Sequence, residues 1–129
     1  MMNAGARSNL RLVILMRRVR MNKYAKYIRS KLSNQELLEQ LAEECNELAK
    51  ASLKMIRAGG MSANITPITR REAYDNFVEE QKDVVSVLWL LTRNERYSYI
   101  DGYPKYERWA KRLGYKEVEM ATKKEHQQR

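Results

Sequence analysis

The sequence predicts an all-α fold, an antiparallel helical hairpin that forms a four-helix-type core and is completed by oligomerisation. Three observations predict it. Gly and Pro number only 5 and 2 among 129 residues, apolar residues recur at helical rather than alternating spacing, and two helix-starting signatures each precede a long periodic stretch. A chain of this length makes one domain, and 43% hydrophobic residues close a modest core that a partner subunit extends.

Residues 1 to 20 are Arg-rich and free of acids. LVILM within them is short for a secretory core and no small-residue cleavage site follows, so they are expected to form a mobile basic extension ahead of a single domain at 21 to 129. MNKYAKYIRSKL, residues 21 to 32, reads as a short helix. In Ser33-Asn34-Gln35-Glu36 the Ser side chain can accept from a backbone N–H while the Glu reaches back to the cap, which starts a helix. It runs through Lys50 and Lys54 to about Arg57, where Gly59 and Gly60 supply the left-handed backbone that ends a helix. AGGMSANITPIT is a connection. Thr69-Arg70-Arg71-Glu72 repeats the signature after Pro67 and opens a second helix that carries VVSVLWLL and fades near Asn94. Two long helices joined in this way fold back as an antiparallel hairpin. YSYIDGY is turn-like, and Pro104 and Gly114 bracket a further helix, PKYERWAKRL.

The formal net charge of +9 is unevenly placed. Of the 25 Lys and Arg, nine lie in residues 1 to 35 with no acid among them, which leaves 16 to balance the 16 Asp and Glu of the remaining chain. A basic arm of this kind attracts nucleic acid, an anionic membrane or phosphorylated small molecules, and charge alone does not choose among them. The single cysteine, Cys45, excludes an internal disulfide and fits a reducing, cytoplasmic compartment. It is expected to be a small buried residue on the apolar side of its helix. The longest apolar stretches, LVILM and VVSVLWLLT, fall far short of the roughly 20 residues of a membrane span. Trp89 is expected to bury against another helix or subunit, and His126 to be solvated.

Two carboxylates of the first long helix fall where apolar side chains belong. With Glu44 placed at zero on a helical wheel, Leu37, Leu41, Leu48 and Met55 lie within about 60°, and Glu39, Asn46, Lys50 and Arg57 lie opposite. Glu47 borders the apolar face at about 300°, while Glu43 looks out to water. The second helix repeats this pattern: Ala73, Phe77, Val84, Val87 and Leu91 surround Glu80, and Asp83 borders them at about 300°. Glu47 lies eleven residues before Ala58 and Glu80 eleven after Thr69, each roughly 16 Å from the connection. Four carboxyl groups should thus converge at one level. Burying ionised carboxylates costs several kcal/mol each and adds mutual repulsion, so a cation is required. Lys and Arg are available for it, and Glu-rich helices commonly pair such acids at the surface, here with Lys50, Lys54, Lys82 or Arg71. Oxygen ligands at i and i+3 on facing helices suit Mg²⁺ or Mn²⁺, and the set lacks the His and Cys that favour zinc.

EECNE at 43 to 47 followed by EEQKD at 79 to 83 resembles the E-E-x-x-E … E-x-x-D signature of the MazG-like, all-α nucleoside triphosphate pyrophosphohydrolases. That superfamily includes phosphoribosyl-ATP pyrophosphatase and the dimeric dUTPases. The similarity covers residues 33 to 92. It implies a core built as a homodimer or homotetramer, Mg²⁺ held by Glu44, Glu47, Glu80 and Asp83, and hydrolysis of a nucleoside triphosphate to the monophosphate and pyrophosphate. The 32 residues between Glu47 and Glu80 are more than is usual for the family, and the excess falls around Gly59-Gly60.

Substrate contacts are sought elsewhere: Lys50, Lys54, Lys105, Arg108 and Arg112 for phosphates, and Tyr99, Tyr103, Tyr106 or Trp109 for stacking on a base. Lys54, Lys105, Arg108 and Trp109 are the preferred set. Lys50 and Lys54 face outward on the wheel, and Tyr106 and Trp109 can equally serve to pack residues 104 to 113 onto the hairpin. A nucleic-acid-binding helical protein using the basic arm is the alternative reading, and a purely structural helical dimer is another. Only an enzyme accounts for acids that face inward.

Overall fold

The computed structural model describes residues 20–117. The expected basic extension, apart from Arg20, and His126 lie outside the described residues. Four α-helices and one 3-10 segment make up an all-α fold, with no strand among the described residues: α1 is Lys23–Lys31, α2 is Asn34–Ala58, α3 is Arg70–Thr92 and α4 is Pro104–Arg112. The stretch expected to be turn-like is more regular than its composition suggests. Glu95–Ile100 forms the 3-10 segment, capped by the Asn94 side chain, which accepts from Arg96 N.

Both long helices start with the predicted reciprocal caps. Ser33 Oγ accepts from Glu36 N at 3.2 Å while Glu36 Oε2 accepts from Ser33 N at 2.7 Å. Thr69 Oγ1 and Glu72 form the same pair at 3.1 and 2.8 Å. Each exchange satisfies donors that a helix start otherwise leaves unpaired. Gly60, at φ +74, makes the left-handed turn after α2 that lets Met61 N reach back to Ile56 O at 3.2 Å. Helix α3 ends at Arg93, which adopts the left-handed conformation itself at φ 50.

The α2–α3 pair is antiparallel. Arg70 Nη2 donates to Gly59 O at 3.1 Å beside the connection, and fifteen residues back from Gly59 and thirteen on from Arg70 the chain brings Glu44 and Asp83 together. Ala51 and Ala73 are buried between the connection and that level. Away from the connection, α1 and α4 pack together and close over the hairpin. There Ile28, Leu37, Val87, Leu90, Ile100 and Tyr106 form the core. Trp89 is buried in the same place, within the chain, and its Nε1 donates to Asp101 Oδ1 at 2.9 Å.

Nearer the connection no other described element covers the hairpin, and Leu53, Ile56, Met61 and Tyr74 are exposed. Cys45 corrects its expectation. It is exposed because it lies about 100° round the helix from Glu44, on the flank shared with Leu38 and Ile56, which α1 and α4 leave open.

Candidate metal centre

Glu44 sits in the middle of α2 with its side chain only 9% exposed. Gln40, one turn earlier on the same face, donates Nε2 to Glu44 Oε1 at 2.8 Å. Across the hairpin, Glu80 and Asp83 stand one turn apart on α3. Carboxylate oxygens of Glu44, Glu80 and Asp83 all lie within 4.8 Å of one another. Glu44 and Glu80 stand on the apolar stripes where two antiparallel helices meet, and Asp83 turns in from the border of its stripe.

Lys105 enters the cluster from α4. Its ammonium lies 2.5 Å from Glu44 Oε1 and 3.0 Å from Asp83 Oδ2, and its side chain is 12% exposed. Lys105, expected as a phosphate contact, is here the counter-ion of Glu44 and Asp83. Three carboxylates thus meet one ammonium at this level. Asp83 Oδ1 is buried and has no hydrogen-bond partner among the described residues.

The titration behaviour reports the same crowding. Burial is the main reason the Glu80 carboxyl is pushed above its ordinary range, with the charges of Asp83, Glu44 and Glu47 adding to it. Burial also raises Asp83, against the opposing hydrogen bond and charge of Lys105. Three hard oxygen donors on facing helices, one with an acceptor that has no partner among the described residues, are a group that could hold a metal ion.

Glu47 departs from the expected convergence. It is 44% exposed at the rim and its Oε1 accepts from Lys50 Nζ at 2.7 Å, one turn further along α2. Its charge nonetheless reaches Glu80. The border position on the wheel allowed either orientation, and an exposed lysine at i+3 draws the side chain outward.

A cleft of about 210 Å³ opens beside the cluster, lined by Gln40, Glu44, Asp83, Lys105, Arg108, Trp109 and Arg112. It gathers three of the four preferred substrate residues. Lys54 is not among them: it is exposed, ten residues along α2 from Glu44, about 15 Å away along the helix axis. Of the aromatic candidates only Trp109 lines the cleft, and Tyr99 is exposed away from it. Trp109 is 6% exposed and belongs to the core, Tyr106 is wholly buried with its hydroxyl donating to Ser86 O, and Tyr103 donates to Glu79. Gln40 escaped the sequence reading, although its place four residues before Glu44 was the available signal.

Comparison of the chain with protein-family models, curated proteins and solved structures found no match.

Proposed function

We propose that this protein is a Mg²⁺- or Mn²⁺-dependent nucleoside triphosphate pyrophosphohydrolase, converting a (deoxy)nucleoside triphosphate and water to the monophosphate and pyrophosphate. The observation that carries this reading is the grouping of Glu44, Glu80 and Asp83 from facing helices, with Asp83 Oδ1 lacking a partner among the described residues. The motif resemblance to the MazG-like pyrophosphohydrolases supports it, as do Arg108 and Arg112, which line the adjoining cleft.

In this reading Glu44, Glu80 and Asp83 hold the ion. A divalent ion bound there would neutralise triphosphate charge and acidify a water directed at the α-phosphorus. Glu47, at the rim and paired there with exposed Lys50, is the carboxylate that would take that water's proton. Arg108 and Arg112 grip the departing pyrophosphate from α4. The exposed apolar flank of α2, with Leu38, Leu53 and Ile56, faces a second copy in a homodimer or homotetramer. A cytoplasmic setting suits an exposed free thiol at Cys45, and no described helix is long and apolar enough to cross a membrane.

The test is incubation of the purified protein with Mg²⁺ and each common NTP and dNTP, with monophosphate, pyrophosphate and orthophosphate quantified separately. Monophosphate and pyrophosphate in equal amounts, lost in Glu80→Gln, are expected. Orthophosphate as the product, or turnover that persists in Glu80→Gln, overturns the reading.

A further inference from the structure

Lys105 is paired with two of the three carboxylates that would hold a divalent ion. Its ammonium contacts both Glu44 Oε1 and Asp83 Oδ2. A metal and an ammonium drawn to the same oxygens repel each other at close range, so both cannot keep their best contacts. Asp83 Oδ1, buried and unpartnered, is an acceptor that Lys105 leaves unsatisfied and that an entering cation can use.

The ammonium has somewhere to go. Arg108 and Arg112 follow Lys105 by three and seven residues, so all three lie along one face of α4 and line the same cleft. Helix α4 does not depend on the ion pair alone for its seat. Tyr106 donates its hydroxyl to Ser86 O at 2.6 Å in the core, and Trp109 and Ala110 are buried beside it. A change of partner by Lys105 can therefore be confined to its flexible side chain.

We propose that Lys105 is an internal stand-in for the metal, neutralising Glu44 and Asp83 in the metal-free chain, displaced by the divalent ion, and passed to the phosphates that follow it into the cleft. This rests on the metal-site reading above and adds to it a cost on metal binding that only phosphate removes. Free metal is held weakly, because displacing Lys105 leaves a cation beside Arg108 and Arg112 with no anion. Phosphate in the cleft supplies that anion, which makes ion and phosphate mutually reinforcing.

The test is Mn²⁺ binding in the absence of nucleotide, read from the electron paramagnetic resonance signal of free Mn²⁺, for the wild type, Lys105→Gln and Lys105→Arg. Circular dichroism establishes that each variant is folded. Lys105→Gln is expected to bind Mn²⁺ about tenfold more tightly than the wild type, as removal of a competing unit charge a few ångström away allows even at a high effective dielectric. Lys105→Arg, which keeps the charge, should stay near the wild type. Equal or weaker binding by folded Lys105→Gln overturns the proposal.

A second measurement needs no variant. Acylation of Lys105 in the wild type by an amine-reactive reagent, followed by peptide mass spectrometry, should rise several-fold when Mn²⁺ is added. It should fall again when inorganic pyrophosphate is added with Mn²⁺ in excess. Unchanged reactivity on adding Mn²⁺ overturns the displacement, and absence of protection by pyrophosphate overturns the transfer to phosphate. A wild type that binds Mn²⁺ without these changes sinks this proposal alone, whereas one that binds no Mn²⁺ removes the metal-site reading as well.

Discussion

Lys105 on α4 meets Glu44 on α2 at 2.5 Å, with both side chains largely withdrawn from solvent. Removing one partner of such a pair leaves an uncompensated charge in a poorly solvated place, which costs more than the pair itself contributes. Lys105→Met should therefore lower the stability of the metal-free protein by about 3 kcal/mol, the low end for a broken buried pair. Urea unfolding measures this, and saturating Mn²⁺ should restore most of the loss. A variant as stable as the wild type would show that the carboxylates do not need their ammonium.

The raised carboxyls make a signed prediction about pH. Glu80 and Asp83 both titrate above their ordinary values of 4.5 and 3.8, chiefly because of burial. A carboxyl raised on folding favours the folded state fully below its unfolded value, and that contribution disappears as pH climbs through the folded value. The two groups thus contribute less to metal-free stability at pH 7 than near pH 4. Glu80→Gln abolishes one ionisation, so it should be more stable than the wild type at pH 7 and nearly equal to it at about pH 4. Urea midpoints at both pH values decide the matter, and a gain of the same size at each would refute the electrostatic account. Saturating Mg²⁺ at pH 7 should reverse the order by stabilising only the wild type appreciably.

Asp101 ties three parts of the fold together away from the carboxylate cluster. Its Oδ1 accepts from Trp89 Nε1 at 2.9 Å and from Asn22 N at 3.0 Å, and its backbone carbonyl accepts from the Asn22 side chain. Asp101→Ala leaves the buried indole N–H without a partner and should cost about 2 kcal/mol, by thermal or urea unfolding. Mn²⁺ affinity in the folded variant should stay within about twofold of the wild type, because no cluster ligand is displaced.

Leu38 and Ile56, 55% and 42% exposed, lie on one flank of α2 five helical turns apart, about 27 Å. An apolar flank of that length is the expected contact between copies. Light scattering should give the wild type a mass that is a multiple of the 15.3 kDa chain, and Leu38→Lys with Ile56→Lys should return it to a single chain. A monomeric wild type would remove the oligomeric part of the proposal.

Much of this architecture was legible before any packing was known, for a local reason. Ser33–Glu36 and Thr69–Glu72 satisfy helix donors within a single turn, so the signal for each start is confined to four residues. The inward direction of Glu44 and Glu80 followed from the helical repeat, which fixes which side chains share a face. The wheel was less decisive at its borders. Asp83 turned in and Glu47 turned out, although both lie about 300° from their reference residue, because a buried lysine stood across from one and an exposed lysine one turn along from the other.

Chain-local chemistry dictated the helices, their ends and the inward set of acids, since those depend on bonds and periodicities spanning a few residues. The docking of α1 and α4 decided everything that depends on who stands opposite. It set Lys105 against a carboxylate 61 residues away in the chain, withdrew Trp109 into the core and left Cys45 in the open. Such pairings arise from how long-range faces meet and exclude water, and no local window of sequence carries that information.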